Sequence, residues 1–438
     1  MTPSQVNQAP PSRRIAVPVP AAESRPKRAT AAAPAIAYIF TTFPKATETF
    51  LQREVTSLQA LGVNLRLYSM WGGGGSFNGL PVTRFPKWKL LTLAIWLPWL
   101  AAIRPRVIAD LAHGLATRRP ASALNFFENL LGLGFGLVYA RHFRRQQPAH
   151  LHAVWGGAPA ASAWLLHRLD GHPFSGAGHA YDLYQNGGDR WLGEKLAPAL
   201  WTHTSTDMGR RTLLAKGLSD EKIHVIRRGL TILPPLKPLR SDRGQTALRL
   251  LCVARLVPKK GLDHQLRIYA ALRAAGLPFS ARIAGEGPLR AALEAQVRTL
   301  GLTREVTFLG HRPQGEITTQ LAWADVLLHT GVVAADGDRD GLPNVIPEAM
   351  SAGVLVVTSP AAATTEAITD GLTGRVCPVE VPARWVEALS ALRHDGEPGQ
   401  VGGAGHMQKA AHAWVESNFN AHHNAARLAG LYRQYTGG

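Results

Sequence analysis

Residues 248–261 read LRLLCVARLVPKKG. An apolar run rich in Leu and Val passes straight into a basic loop and a glycine. Such a run, too short for a buried helix and closed by Pro and Gly, reads as a strand of a parallel sheet covered on both faces. Gly261 then opens a segment with helical apolar spacing over 262–275. The pattern repeats. Strands are expected at LRLLCVA, FSARIAG, VTFLG, ADVLLHT and VLVVTS, with helices at about 262–275, 287–300, 314–322 and 345–352 between them. Strands alternating with helices predict a doubly wound α/β domain. Two further helices, at 382–393 and 407–434, finish the chain.

Working toward the N-terminus, TILPPLKPLRSDRGQ (231–245) is Pro-rich and polar, as domain linkers are. Before it lies a second α/β pattern. AIAYIF (35–40) is a buried strand, ETFLQREVTSLQALG a helix ended by Gly62, and VNLRLYSM (63–70) the next strand. Strand and helix signals resume at HLHAVWG, PFSGAGHAYD, WTHTS and KIHVIRRGL. Residues 84–146 differ. The run LLTLAIWLPWLAAI (90–103) is expected to be broken by Pro98 and is shorter than the roughly 20 apolar residues of a spanning helix. Arg84, Lys87, Lys89, Arg104, Arg106, Arg118, Arg119, Arg141, Arg144 and Arg145 surround it, opposed by Asp110 and Glu128. With Trp88, Trp96, Trp99, Phe126 and Phe127 interleaved, this region suits an anionic membrane surface, or else covers the first sheet with short helices.

The whole chain has 438 residues and a formal net charge of +18, which calls for a negatively charged partner. No nucleic-acid-binding signature is visible. The two cysteines, Cys252 and Cys377, sit in apolar runs and read as reduced thiols of a cytosolic protein. Residues 1–33, rich in Pro, Ala and Arg, read as a disordered basic tail. Arg13 and Arg14 precede an apolar run too short and too Pro-rich for a secretion signal.

Two α/β domains joined by a linker leave a cleft, and ligands of open parallel sheets bind beyond the carboxyl ends of the strands. Arg255 and Lys260 follow one strand and suit a diphosphate, a fork and a point charge together. Gly285 and Gly287 flank a strand-to-helix turn where backbone could approach a ligand, or could simply turn. Asp340 and Glu348 stand eight positions apart (348 − 340) around a Gly-Leu-Pro turn, and Pro347 places Glu348 in the first turn of a helix. Asp340 could equally be a loop acid, and Glu348 an acid that complements the helix dipole. Asp336 and Asp338 form a D-x-D sequence, which could be a metal site, a helix cap or half of a sugar-nucleotide site.

ARLVPKKG, GEGPLR, VTFLGHRP, DRDGLPNVIPEAMSAG and TTEAITDGLTGRVCP occur in order. Together they resemble the donor-binding half of the retaining glycosyltransferases of family 4, also called group 1. TTFPKATETFLQREV and FSGAGHAYD resemble the acceptor half of the bacterial exopolysaccharide, colanic-acid-type branch. The resemblance spans roughly 35–435 and implies a GT-B fold, two Rossmann-like doubly wound domains facing a cleft. It implies an acceptor domain at 34–235, a linker at 236–246, a donor domain at 247–410, and a C-terminal helix, 411–438, crossing back to the first domain.

It also implies roles. His179, Asp340 and Glu348 would be the catalytic set, with Asp340 where the family has Glu, one methylene longer. Arg255 and Lys260 would neutralise the donor diphosphate. Gly285, Gly287, Gly341, Leu342, Asn344, Val345 and Glu348 would hold the donor's sugar and nucleotide, Glu348 at the ribose. Lys45, Glu48 and Asp182 would face the acceptor. The implied reaction uses a nucleotide-diphosphate sugar, a lipid-linked oligosaccharide acceptor, no metal, no other cofactor and no nucleic acid, at the inner face of the plasma membrane. Other readings are a two-domain sugar-nucleotide epimerase or hydrolase, and a non-catalytic basic protein that binds nucleic acid or glycan.

Overall fold

The computed structural model describes residues 34–45, 48–117, 120–394 and 403–436. The expected tail at 1–33, and Arg118 and Arg119, lie outside the described residues. Eight strands form the first sheet: β1 (Ile36–Phe40), β2 (Leu65–Ser69), β3 (Ser76–Phe77), β4 (Leu80–Arg84), β5 (His150–Ala153), β6 (Phe174–Ala177), β7 (Thr202–Thr204) and β8 (Ile223–Val225), in the order β3-β4-β2-β1-β5-β6-β7-β8. Only the β3–β4 hairpin is antiparallel. Six strands form the second: β9 (Leu248–Val253), β10 (Phe279–Ala284), β11 (Val306–Gly310), β12 (Val326–His329), β13 (Leu355–Thr358) and β14 (Arg375–Val376), in the order β11-β10-β9-β12-β13-β14, all parallel.

Every residue of β1, β5, β6, β12 and β13 is buried, so both faces of each sheet carry a core. In both sheets the chain order reverses beside the first strand. The switch points lie between β1 and β5, and between β9 and β12. The loops that follow these four strands are where an open α/β sheet holds its ligand. They carry Lys45 and Glu48, Trp155 and Gly156, Arg255 and Lys260, and Asp340.

Three expectations need correction. The apolar run through Pro98 is one helix, Leu93–Ile103, with the proline inside it. Residues 123–146 form a 24-residue helix rather than short pieces. It packs hard on helix Ala158–Asp170, because a Cβ at Gly132 would lie 2.1 Å from the Ala158 carbonyl oxygen. The last helix is two, Ala404–Asn418 and Ala421–Thr436. They separate where the chain pairs with Leu230, whose N–H donates to Phe419 and whose carbonyl accepts from Ala421. Helix Ala421–Thr436 then lies on helix Thr49–Ala60 of the first half, burying Leu428 and Tyr432 beside Tyr38 and Leu51. Residues 231–247 carry no helix or strand, and Arg240 ties them to Asp325 at 2.7 Å.

Candidate active site

The turn after β9 is shaped by glycines that meet protein rather than open space. Gly285 has φ +148°, and a Cβ there would lie 1.8 Å from the Ala254 carbonyl oxygen; at Gly287 it would lie 2.5 Å from that of Leu256. These glycines let two loops touch, and the loop they support carries Arg255. The Arg255 side chain is exposed. Lys260 ends a short 3-10 turn, Pro258–Lys260, and reaches Asp340 Oδ2 at 2.5 Å. Lys259, buried, joins it at 3.0 Å from Asp338 and 3.5 Å from Asp340. His329, at the end of β12, lies 3.8 Å from the same Asp340 oxygen.

Burial pushes the Asp340 carboxyl up, but Lys260, His329 and Lys259 pull it down further and leave it well below the usual carboxylate range. Asp340 is therefore an anion held against two ammonium groups. Asp336, for its part, accepts from Gln185 Nε2 at 3.1 Å, and its carbonyl accepts from the Asn186 N–H at 2.6 Å. The D-x-D acids thus tie the loop to Lys259 and to the first half. Among the described residues, no group of three His, Cys, Asp or Glu could hold a metal ion.

Helix Val345–Ser351 begins at the Pro343 turn. Its Ile346 and Glu348 N–H groups donate to the Pro343 and Asn344 carbonyls, at 3.1 Å each, so these two amides are not open to a ligand. Leu342 is buried, Val345 half-buried, and Asn344 Oδ1 is buried without a partner. The position of a Cβ at Gly341 would lie 3.9 Å from Ser205 Oγ of the first half. Glu348 is 9% exposed and accepts from Arg53 Nη2 at 3.1 Å, across the cleft. Sequence reasoning missed Arg53 and Lys259. Both lie inside quoted motifs, Arg53 in TTFPKATETFLQREV and Lys259 in ARLVPKKG, but nothing in those stretches marks them apart from their basic neighbours.

On the opposite wall, His179 follows β6 and is 4% exposed. The next residue, Ala180, has φ +42°, a left-handed backbone that costs a non-glycine residue about 1–3 kcal/mol. The His179 ring lies edge-on to Trp155 at 5.7 Å and to His203 at 5.3 Å, and its Nδ1 is buried without a partner. Burial, with His203 and Arg228 nearby, holds His179 well below the ordinary imidazole value, so it is neutral at pH 7. Asp182 accepts from the Gly156 N–H at 2.8 Å, and burial pushes its carboxyl up to about 8. It fixes the loop after β5 as much as it faces the cleft. Lys45 and Glu48 pair with each other at 2.8 Å at the mouth. The structure therefore brings Lys260 and Asp340 together and pairs Glu348 with Arg53 of the first half, while His179 and Asp182 follow β6 and Arg255 and Lys45 are exposed.

Three comparisons bear on this arrangement. Residues 240–408 match the sequence model of the glycosyl transferases group 1. The amylovoran biosynthesis glycosyltransferase AmsK of Erwinia amylovora is 35% identical over 230 residues, covering 52% of this chain and 53% of the relative, so the match spans about half of that protein. The putative colanic acid biosynthesis glycosyltransferase WcaL of Escherichia coli is 26% identical over 74% of this chain and 82% of its own length. Among solved structures, HepE of Anabaena in complex with UDP superposes with a TM-score of 0.65 at 16% identity, over 91% of this chain and 99% of that one. The lipopolysaccharide outer core galactosyltransferase WaaB superposes equally well, at 0.65, over the same shares of each chain. At these identities the superpositions speak for the fold alone, which is GT-B. The chain is thus similar to the glycosyl transferases group 1 over residues 240–408 and shares the GT-B fold along most of its length.

Proposed function

We propose that the protein is a retaining, metal-independent glycosyltransferase that moves a sugar from a nucleotide-diphosphate sugar to a lipid-linked saccharide during exopolysaccharide synthesis. The carrying observation is the Lys259–Lys260–Asp340 cluster, with Glu348 held by Arg53 of the first half and the neutral His179 following β6. In glycosyl transfer the bond between the anomeric carbon and the phosphate oxygen breaks through an oxocarbenium-like state. Negative charge grows on the departing diphosphate, and fixed cations stabilise that charge more than the ground state. Lys260 and Arg255 would supply them, and Glu348 would exchange Arg53 for the ribose hydroxyls. The acceptor hydroxyl would attack from the same face, its oxygen bonding to the anomeric carbon while its proton passes to the leaving phosphate. AmsK and WcaL carry amylovoran and colanic acid in their names, which supports the exopolysaccharide assignment.

The membrane part of the reading rests on helix Leu93–Ile103 and its surroundings. Trp88 is 65%, Leu91 79%, Ile95 71% and Phe127 64% exposed, unusually high for large apolar side chains. Lys87, Arg104 and Arg106 are exposed around them. Apolar side chains ringed by cations suit the face of an anionic bilayer. Only helix Ala123–Gln146 is by itself long and apolar enough to cross a bilayer among the described residues, and 56% of its apolar window is buried in the protein. The protein would thus lie on the cytoplasmic face, beside an acceptor anchored there. The test supplies radiolabelled UDP- and GDP-sugars with a bacterial lipid extract. Label entering the organic phase with wild type, and not with Lys260→Met, supports transfer; free labelled sugar alone would point to hydrolysis.

A further inference from the structure

Beside His179 lies a cavity lined by Phe50, Arg53, His179, Arg227 and Arg228 among others. Three guanidinium groups in one cavity repel each other unless anions answer them. Two are answered. Arg53 pairs with Glu348 at 3.1 Å, and Arg227 with Asp207 at 2.9 Å and Glu366 at 3.5 Å. Arg228 is not. Among the described residues no carboxylate comes within ion-pair distance of it. Its guanidinium carbon rests 3.6 Å from the centre of the Phe50 ring, and its Nε is buried without a partner.

A cation half withdrawn from water and left without a counter-ion is costly to keep. Its surroundings say what it faces. Glu54, Asp340 and Glu48 are the charges that act on it at longer range, one beneath it and one on the donor wall. The adjacent Gly229 carbonyl accepts from Arg53 Nη1 at 3.5 Å, which places Arg228 one residue from the Arg53–Glu348 bridge. Burial lowers its guanidinium to about 10, so it remains charged at neutral pH. Arg228 therefore shares a cavity with His179, within electrostatic reach of Asp340, as a cation with no carboxylate partner just before the segment that joins the two halves.

We propose that Arg228 binds the terminal phosphate of the nucleoside diphosphate from the N-terminal side of the cleft, opposite Lys260. The inference rests on the donor reading above and deepens it. The terminal phosphate is bonded to the sugar in the donor and free in the product, where it carries one more negative charge. A cation placed there favours the departing group over the intact donor. A monophosphate of the same nucleoside has no group to reach it.

Calorimetric titration of wild type, Arg228→Met and Arg228→Lys tests this with UDP, GDP and the matching monophosphates. The unliganded melting temperature of each variant reports folding. The expected result is an approximately tenfold weaker diphosphate affinity for Arg228→Met, as loss of one charged hydrogen bond gives, partial recovery in Arg228→Lys, and monophosphate affinity unchanged within twofold. Equal weakening of mono- and diphosphate, or no weakening of either, overturns the proposal. A wild type that binds none of these nucleotides removes the donor reading itself, and the proposal with it.

Discussion

Asp340 shows how much one residue can carry. Its place after an apolar strand and eight positions before Glu348 was legible from spacing alone. Its partners were not, because Lys259 and Lys260 approach it from a loop some eighty residues earlier. A still greater separation hid Arg53, which meets Glu348 from 295 positions away. Polar groups buried against each other also leave no periodic trace. Glu54 is one. Burial pushes its carboxyl up to about 7 against the Tyr38 hydroxyl and Arg228. In the unfolded chain it titrates near 4.5. Between those values the folded protein holds a proton that the unfolded chain has lost, so stability falls as pH rises from about 4.5 to 7. Glu54→Gln should flatten that part of the curve, read as denaturation midpoint against pH. An unchanged slope would place the ionisation elsewhere.

At the scale of the element, strands and helices of the second half fall within a few residues of where periodicity puts them. Continuous Val and Leu runs leave little choice in a parallel sheet. The first half was harder. The hairpin β3–β4 sits in a Gly-rich stretch whose two short strands have no alternation to read. Helix Ala123–Gln146 carries apolar residues on most sides, so no stripe marks the face that meets helix Ala158–Asp170. The C-terminal break at Phe419–Asn420 is imposed by Leu230, a contact that no local rule announces. Gly285 and Gly287 carry an element-level prediction. A side chain at Gly285 meets the Ala254 carbonyl and a positive φ together, so Gly285→Ala should cost about 2–4 kcal/mol. Chemical denaturation measures it. A cost below about 1 kcal/mol would mean that the two loops separate easily and do not hold Arg255 in place.

The whole molecule is two sheets tied together by specific bridges. Glu366 of the second half accepts from the Asp207 and Met208 N–H groups at 2.9 Å each, closing the start of a first-half helix. Arg339 lies 4.9 Å over the Tyr184 ring, and helix Ala421–Thr436 returns to the first half. Two-domain architecture was readable from tandem α/β patterns and a Pro-rich joint. These bridges were not, since each joins residues that no local pattern connects. The net charge of +18 belongs to this scale too. Leu91→Asp with Ile95→Asp should weaken sedimentation with anionic liposomes at least tenfold and leave the melting temperature within a degree or so, because both side chains are exposed. Unchanged liposome binding would move the membrane face elsewhere. The central claim is that the cleft holds a nucleoside diphosphate against Glu348. Thermal stabilisation by UDP, GDP, ADP and dTDP, on wild type and Glu348→Ala, tests it most directly. A ligand at 100 times its Kd adds about 2.7 kcal/mol. The account predicts that one of the four raises the wild-type melting temperature and does not raise that of the variant. If none of them shifts the wild type, or if the shift survives in Glu348→Ala, the account is contradicted.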